Sequence, residues 1–447
     1  MRTLVASLLA LLTSAPVRGQ DAGGPGEFLA GGWCYHLARA EAGGFGFGER
    51  GEPRDPFRSL AAAGWTHAGL ELLTNQPLHG VAANLNLAER ARAAGLGIVL
   101  NLLYEDRLGG RQIPAGWPHD PDSLARRVYD YTLATLRAFD SVGARPAAVK
   151  IGNESDHAAA GGFLLPVGSL DAPSFYRLLG AGIRAVRAFD PRIRIILHSY
   201  VPRGNQPFWR GVLTHRLDFD ILGVSMYPHW GGYLRDSTAI LAELAAYGKP
   251  IMVVETATPW TPLDADDRPN TSGLERDGFD ANPLSAYLWY RSLHSLLRRH
   301  PLGVGVFAWP TTYPAVPGHV ASTKDDQTFW HSRTAQFQAL PAAGIAGRPV
   351  DVKLHLPARG AYVEIRTDGS VGLGAHGTPL RVDPRGAGRC GLLLGGREVV
   401  PTFRPRTVGG VAPDAPVGIR LDGAGDWLAA RGWSPGEEVV VVAATPE

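Results

Sequence analysis

Eight short apolar runs alternate with segments of helical periodicity, which predicts an α/β chain built as a (β/α)8 TIM barrel with a small C-terminal all-β domain. The runs are Phe28–Tyr35, His67–Leu72, Gly97–Tyr104, Ala147–Gly152, Arg194–Ser199, Phe219–Met226, Ile251–Glu255 and Val304–Trp309. No Gly-rich phosphate loop follows the first run, where a doubly wound dinucleotide-binding sheet would carry one. Beyond about Gly347 the helical period stops and short alternating segments broken by Gly and Pro take over. A chain of 447 residues is long enough for such a barrel and an appendage.

In chain order, the first segment reads as a leader. Arg2 supplies a positive start, Leu4–Leu12 is apolar but too short to span a bilayer, and Val17 and Gly19 suit a peptidase. Residues 1–19 are therefore expected to be removed, giving a secreted protein, extracellular or periplasmic, with no membrane attachment once the signal has gone. Helix-like stretches Leu85–Ala94, Pro121–Val142, Ser174–Phe189, Ser237–Tyr247 and Pro283–Arg299 place apolar residues three and four apart, with Arg, Glu or Asp between. Gly64, Gly95 and Gly248 stand where a left-handed C-cap wants glycine. Residues 20–346 make the barrel. The β-rich accessory domain, 347–447, contains strands such as Val350–Leu356, Ala361–Thr367 and Glu438–Ala443.

Composition excludes several classes. With 44 Lys+Arg against 42 Asp+Glu, the net charge of +2 offers no nucleic-acid footprint. A hydrophobic fraction of 45% excludes a disordered chain. Two cysteines exclude a disulfide scaffold and a four-Cys zinc site. Cys34 sits in a core strand and Cys390 far downstream, so buried unpaired thiols are expected ahead of a disulfide.

In a (β/α)8 barrel chemistry gathers at the C-terminal ends of the strands. Run four ends Ile151-Gly152-Asn153-Glu154 and run seven ends Val253-Val254-Glu255. A Glu closing an apolar run is costly unless it has a role or a partner. The two are 101 positions apart, which fits three β/α units of roughly 33 residues and sets them across the barrel mouth. Two opposed carboxylates suit glycoside hydrolysis, one as acid/base and one as nucleophile. Around them Asn153, His198, Tyr227, Trp230, Trp260 and Trp309 are candidate substrate-binding residues, because aromatic faces stack on pyranose rings. Asp264, Asp266, Asp267, Glu275 and Asp277 fit no EF-hand spacing and read as a solvated acidic loop. Asn270-Thr271-Ser272 matches the short N-glycosylation pattern.

At these residues the chain resembles glycoside hydrolase family 53, the arabinogalactan endo-β-1,4-galactanases of the retaining β-glycanase clan A. The resemblance runs from about Gly31 to Ala342. It is carried by Lys150-Ile151-Gly152-Asn153-Glu154, by Asp218-Phe219-Asp220-Ile221-Leu222-Gly223-Val224-Ser225-Met226-Tyr227-Pro228-His229-Trp230, and by Tyr247-Gly248-Lys249-Pro250-Ile251-Met252-Val253-Val254-Glu255-Thr256-Ala257-Thr258-Pro259-Trp260. It implies that Glu154 is the acid/base, that Glu255 is the nucleophile, and that the anomeric configuration is retained. It also implies that Asn153 bonds the substrate 2-hydroxyl and that Tyr227 orients Glu255.

Two positions depart from the family pattern. An Arg is usual on strand two, where this chain has His67-Ala68-Gly69-Leu70-Glu71; Asp-x-His-Tyr-Ser-Asp is usual after strand three, where it has Asn101-Leu102-Leu103-Tyr104-Glu105-Asp106. Losing the Arg is expected to remove a positive charge beside Glu255. The expected activity is hydrolysis of a β-linked polysaccharide or oligosaccharide, galactan first, by a monomer needing no cofactor or metal. Another β-glycan, or a glycan-binding protein without turnover, are the alternatives.

Overall fold

The computed structural model describes residues 27–444 except 111, 157–172, 201–205, 229–233, 271–277, 367–369, 409–416, 431 and 433–436. The expected leader 1–19, Trp230, Thr271-Ser272, Glu275 and Asp277 lie outside the described residues.

Eight parallel strands close into a barrel: β1 (Leu29–Trp33), β2 (His67–Leu72), β3 (Gly97–Leu102), β4 (Ala148–Ile151), β5 (Arg194–Ser199), β6 (Ile221–Ser225), β7 (Ile251–Glu255) and β8 (Gly303–Ala308). Neighbours in sequence pair side by side, and β8 closes on β1. Every expected run holds one strand, with ends differing by at most two residues.

Around the barrel lie α1 (Leu37–Ala42), α2 (Pro56–Ala62), α3 (Val81–Ala93), α4 (Pro121–Ser141), α5 (Pro173–Phe189), α6 (Gln206–Thr214), α7 (Ser237–Ala245), α8 (Pro283–Arg299) and α9 (Ala339–Ile345). Three of them begin with the same device. Asp55, Asp120 and Asn282 cap the backbone N–H groups of Phe57, Ser123 and Ser285, each with Pro at the first helical position. Gly64, Gly95 and Gly248 adopt φ of +96°, +83° and +67°, as the C-cap reading requires. In α4 the buried residues Leu124, Val128, Thr132, Leu136 and Phe139 recur at the helical period. No described helix is long and apolar enough to cross a membrane.

Alternation along the strands makes two cores. Leu70, Leu100, Val149, Ile151, Ile195 and Leu197 face the helices, whereas Leu29, Trp33, Val99, Ala148, Ile196, Met252, Val254 and Phe307 fill the barrel. Gly69 makes room for Trp33, because a Cβ there would overlap the indole ring. Two residues further along the inward-facing rows, apolar side chains give way to a polar tier: Glu71, Asn101, Lys150, His198 and Ser225, all buried.

Past α9, eight antiparallel strands follow: β9 (Asp351–Leu356), β10 (Ala361–Ile365), β11 (Val371–Gly374), β12 (Leu380–Gly386), β13 (Arg389–Leu394), β14 (Arg397–Thr407), β15 (Gly418–Asp422) and β16 (Val439–Ala443). Their order is β11-β10-β9-β12-β13-β14-β15-β16, and β16 folds back to pair with β9 as well. A short helix, α10 (Gly425–Ala429), separates the last two. The sheet is tied to the start of α8. Asp280 accepts from Arg406 Nη1 at 2.8 Å and from the Thr407 backbone N–H at 3.1 Å, while Asn282 Nδ2 donates to the Pro405 carbonyl at 3.3 Å. Cys34 and Cys390 are free thiols, both buried.

Candidate active site

Glu154 and Glu255 stand at the rims of β4 and β7, and both are buried. Their placement follows from local backbone geometry. Between Val224 and Ser225 the β6–β7 register slips, so that Val224 faces Val253 while Ser225 faces Glu255. The resulting bulge lets Val254 stay in the barrel core while Glu255 enters the cleft. Trp33 Nε1 donates to the Val254 carbonyl at 2.6 Å across the barrel. Gly152 and Glu154 have φ of +75° and +40°, a left-handed turn that a glutamate adopts only under constraint. The constraint is a hydrogen bond from the Glu154 backbone N–H to His198 Nδ1 at 3.2 Å.

One ring nitrogen of His198 and one carboxylate oxygen from each of Glu154 and Glu255 lie within 4.8 Å of one another. Among the described residues this trio comes nearest to a metal-ligand set. A cation already stands there, because Lys150 Nζ donates to Glu255 Oε1 at 3.3 Å, to His198 Nδ1 at 3.1 Å and to Asn153 Oδ1 at 2.5 Å. The Lys150 side chain is fully enclosed, with its ammonium 4.8 Å from the centre of the Trp33 ring. The strand-two expectation is thus corrected: positive charge beside Glu255 is present, supplied by β4.

Hydrogen bonding fixes the His198 tautomer. Its Nδ1 accepts from both Lys150 and the Glu154 backbone, so the ring proton sits on Nε2 and points to Ser225 Oγ at 2.9 Å. Ser225 Oγ in turn donates to Glu154 Oε1 at 2.8 Å. Burial, then the Lys150 charge, holds His198 well below its ordinary value, leaving it neutral. With both nitrogens engaged and the ring wholly buried, His198 holds its neighbours in place and offers no polar atom to a ligand; the substrate-binding expectation is replaced by this.

Burial, then the charge of Glu255, raises Glu154 well above its ordinary value, against the bond from Ser225 and the charge of Lys150. Tyr227 donates its hydroxyl to Glu255 Oε2 at 3.2 Å. Burial and the two carboxylates keep that phenol protonated. Opposite, Glu71 receives Asn101 Nδ2 at 2.8 Å and Trp309 Nε1 at 3.1 Å. Burial pushes Glu71 up to about 7, against Lys150. Asp156, just past Glu154, is pushed up to about 6 by burial and accepts from the Tyr200 backbone N–H at 2.6 Å.

The structure brings Asn153, Tyr227 and Trp309 together around the Glu pair. Trp260 is different: it is buried, its Nε1 donates to the Thr328 carbonyl at 2.6 Å, and its ring packs on His331. It braces the loops after β7 and β8 against each other. The loop after β7 is tied down at two points, with Ala265 N–H on Asp325 and Ser322 N–H on Asp266, while Asp264 and Asp267 are exposed, in keeping with a solvated acidic loop. Sequence reasoning did not single out Lys150, Ser225 or Lys324. The Lys324 ammonium lies 6.0 Å from the centre of the Tyr227 ring. For Lys150 the signal was alternation: it lies two residues beyond Ala148 on the inward row of a buried strand.

The profile of Glycosyl hydrolase family 53 matches residues 41–343. An arabinogalactan endo-beta-1,4-galactanase of Cellvibrio japonicus is 30% identical over 306 residues, covering 63% of this chain and 80% of the relative. An endo-beta-1,4-galactanase of Bacillus subtilis is 27% identical over 316 residues, covering 65% of this chain and 72% of the relative. The solved GH53 catalytic domain of Ignisphaera aggregans superposes with a TM-score of 0.65 at 25% identity, covering 74% of this chain and 98% of that one. The chain therefore belongs to glycosyl hydrolase family 53, and is a glycoside hydrolase.

Proposed function

We propose that the protein is an endo-β-1,4-galactanase that cleaves (arabino)galactan with retention, using Glu255 as nucleophile and Glu154 as acid/base. The observation that carries this is the convergence of the two carboxylates within 4.8 Å. Retaining enzymes hold their carboxyl groups about 5–5.5 Å apart, whereas inverting ones leave room for a water at roughly 6.5–9.5 Å. The division of labour follows from the surroundings. Glu154, raised by burial and the charge of Glu255, keeps a proton to give; Glu255 has its two oxygens held by Lys150 and Tyr227, aimed for attack.

In the first step a Glu255 oxygen bonds the anomeric carbon while the glycosidic C–O bond breaks and Glu154 passes its proton to the departing oxygen. Water then attacks the same carbon, giving its proton to Glu154, as the ester bond to Glu255 breaks and restores the carboxylate. Asn153 Oδ1 is held by Lys150, which leaves its amide N–H groups for a sugar hydroxyl. Trp309, fixed by Glu71, supports stacking of a ring.

Glu154→Gln should lower kcat by roughly 10²–10⁴-fold on galactan, with much less loss on an aryl glycoside whose leaving group needs no proton. Glu255→Gln should abolish turnover on both, with both variants folded by circular dichroism. Proton NMR of the first product should show the β-anomer; an α-anomer, or equal activity in wild type and variants, overturns the mechanism. A different β-glycan is the second reading, favoured by the apolar group Tyr35, Leu73 and Leu103 beyond β1, β2 and β3. Reducing-sugar release from a panel of galactans, glucans, mannans and xylans decides between them. We further propose export after removal of residues 1–19, checked by the intact mass of the mature protein.

A further inference from the structure

We propose that Lys150 is the positioning residue of the nucleophile: its buried ammonium hydrogen-bonds and orients the Glu255 carboxylate, so that β4 does the work of the Arg that strand two of this family usually supplies. This rests on the assignment of Glu255 as nucleophile.

Several features argue for it together. Lys150 is one of four lysines in the chain, and its side chain has no exposed surface. An ammonium enclosed in a barrel is tolerated only where its donors are matched and its charge is met. Asn153 Oδ1, His198 Nδ1 and Glu255 Oε1 take its three N–H bonds, and the Trp33 face lies alongside. Two of those three acceptors are neutral, so the hydrogen-bonded counter-charge is Glu255. That carboxylate also receives Tyr227 on its other oxygen, so both oxygens have fixed donors.

The remaining ionisable groups around the pair are Glu71 from β2, Glu154 after β4, neutral His198 on β5, and Lys324 from the loop after β8. Glu71 occupies the strand where the family's Arg is usual, and its carboxylate feels the Lys150 charge most among its neighbours. A cation on β2 has thus been exchanged for an acid, and the charge reappears on β4. The acid accounts for the compensation: with Glu71 and Glu255 both in the tier, a site without Lys150 would hold stacked carboxyls and no cation hydrogen-bonded to either.

The test is the pH dependence of kcat/KM on an aryl β-galactoside, whose acid limb follows ionisation of the nucleophile. Lys150→Gln should move that limb to higher pH by about 1–3 units, and lower kcat by roughly 10²-fold. Lys150→Arg, which keeps the charge, should hold the limb near its wild-type position. Should Lys150→Gln alone fail to fold, Glu71→Gln/Lys150→Gln, which removes the ammonium together with the buried acid beside it, carries the same expectation. A wild-type acid limb in either Gln variant, or the same displacement in Lys150→Arg, overturns the inference. Glu255→Gln measured alongside separates the two levels. If it keeps turnover, the nucleophile assignment fails; if it is inactive while Lys150→Gln matches wild type, only the role of Lys150 fails.

Discussion

The polar tier at the barrel mouth obeys one accounting rule: each buried donor meets an acceptor, and each charge meets a fixed dipole or an opposite charge. The chain Lys150–His198–Ser225–Glu154 follows it link by link, with every proton assigned by its neighbour. The Glu pair was legible in the sequence because an acid ending an apolar run stands out against a dry background. Lys150 was not, since inside Lys150-Ile151-Gly152-Asn153-Glu154 it reads as part of a motif, and only alternation against Ala148 turns it inward. His198 was legible as a site residue but not in its role, which depends on what β4 and β6 place against its two nitrogens. Glu71 yields a prediction at this scale. The folded protein keeps on it a proton, up to about pH 7, that an ordinary glutamate gives up near 4.5. Its contribution to stability is therefore full below about 4.5 and is lost as pH rises through about 7. Melting temperatures of Glu71→Gln and wild type, followed from pH 4 to 8, should diverge in favour of the variant as pH rises through that window. Parallel curves would remove the assignment of a buried, protonated acid.

Strands and long helices were readable because each carries its own periodic signal over enough residues. The short helices α1, α2, α6 and α9 were not read. None exceeds nine residues, and helices so short owe their stability to what they pack on. In the second sheet, β14 runs eleven residues through Pro401 and Pro405, which argue against a strand when seen in sequence alone. Pairing with β13 and β15 overrides that preference, and the β13–β14 register slips twice along the way. At β2 the decisive residue is a glycine. Gly69→Ala would drive a methyl group into the Trp33 indole, an overpacking that costs about 1–3 kcal/mol. Because that ring flanks the Lys150 ammonium, the variant should lose kcat as well as melting temperature. A variant equally stable but slow, or equally fast but unstable, would separate packing from catalysis.

At the scale of the whole chain, the family match ends at residue 343, while the antiparallel sheet begins at Asp351. The two are joined by more than a linker. Asp280, immediately before α8, binds the side chain of Arg406 and the backbone of Thr407, with 13% of its side chain exposed. Asp280→Ala should cost about 1–3 kcal/mol, since it strands the Thr407 backbone N–H and takes from Arg406 its nearer carboxylate, with Asp422 the more distant one. It should also lower the melting temperature of the barrel itself, because Trp289 and Tyr290 of α8 are hydrogen-bonded to Thr256 and Thr258, just past β7. Two separate calorimetric transitions in the variant, with the barrel's unchanged, would show instead that the sheet is a passenger.

The scarcity of lysine has a practical side. Among the described residues amine-directed coupling to a resin or dye has three reachable targets at most, since Lys150 is sealed inside the barrel. Lys249 is anchored under the Phe219 carbonyl and Lys353 belongs to β9, both away from the cleft. Lys324 overlooks Tyr227. Attachment through the accessory sheet would leave the sugar path open, whereas reaction at Lys324 would narrow it, so bound substrate should steer immobilisation toward the useful end.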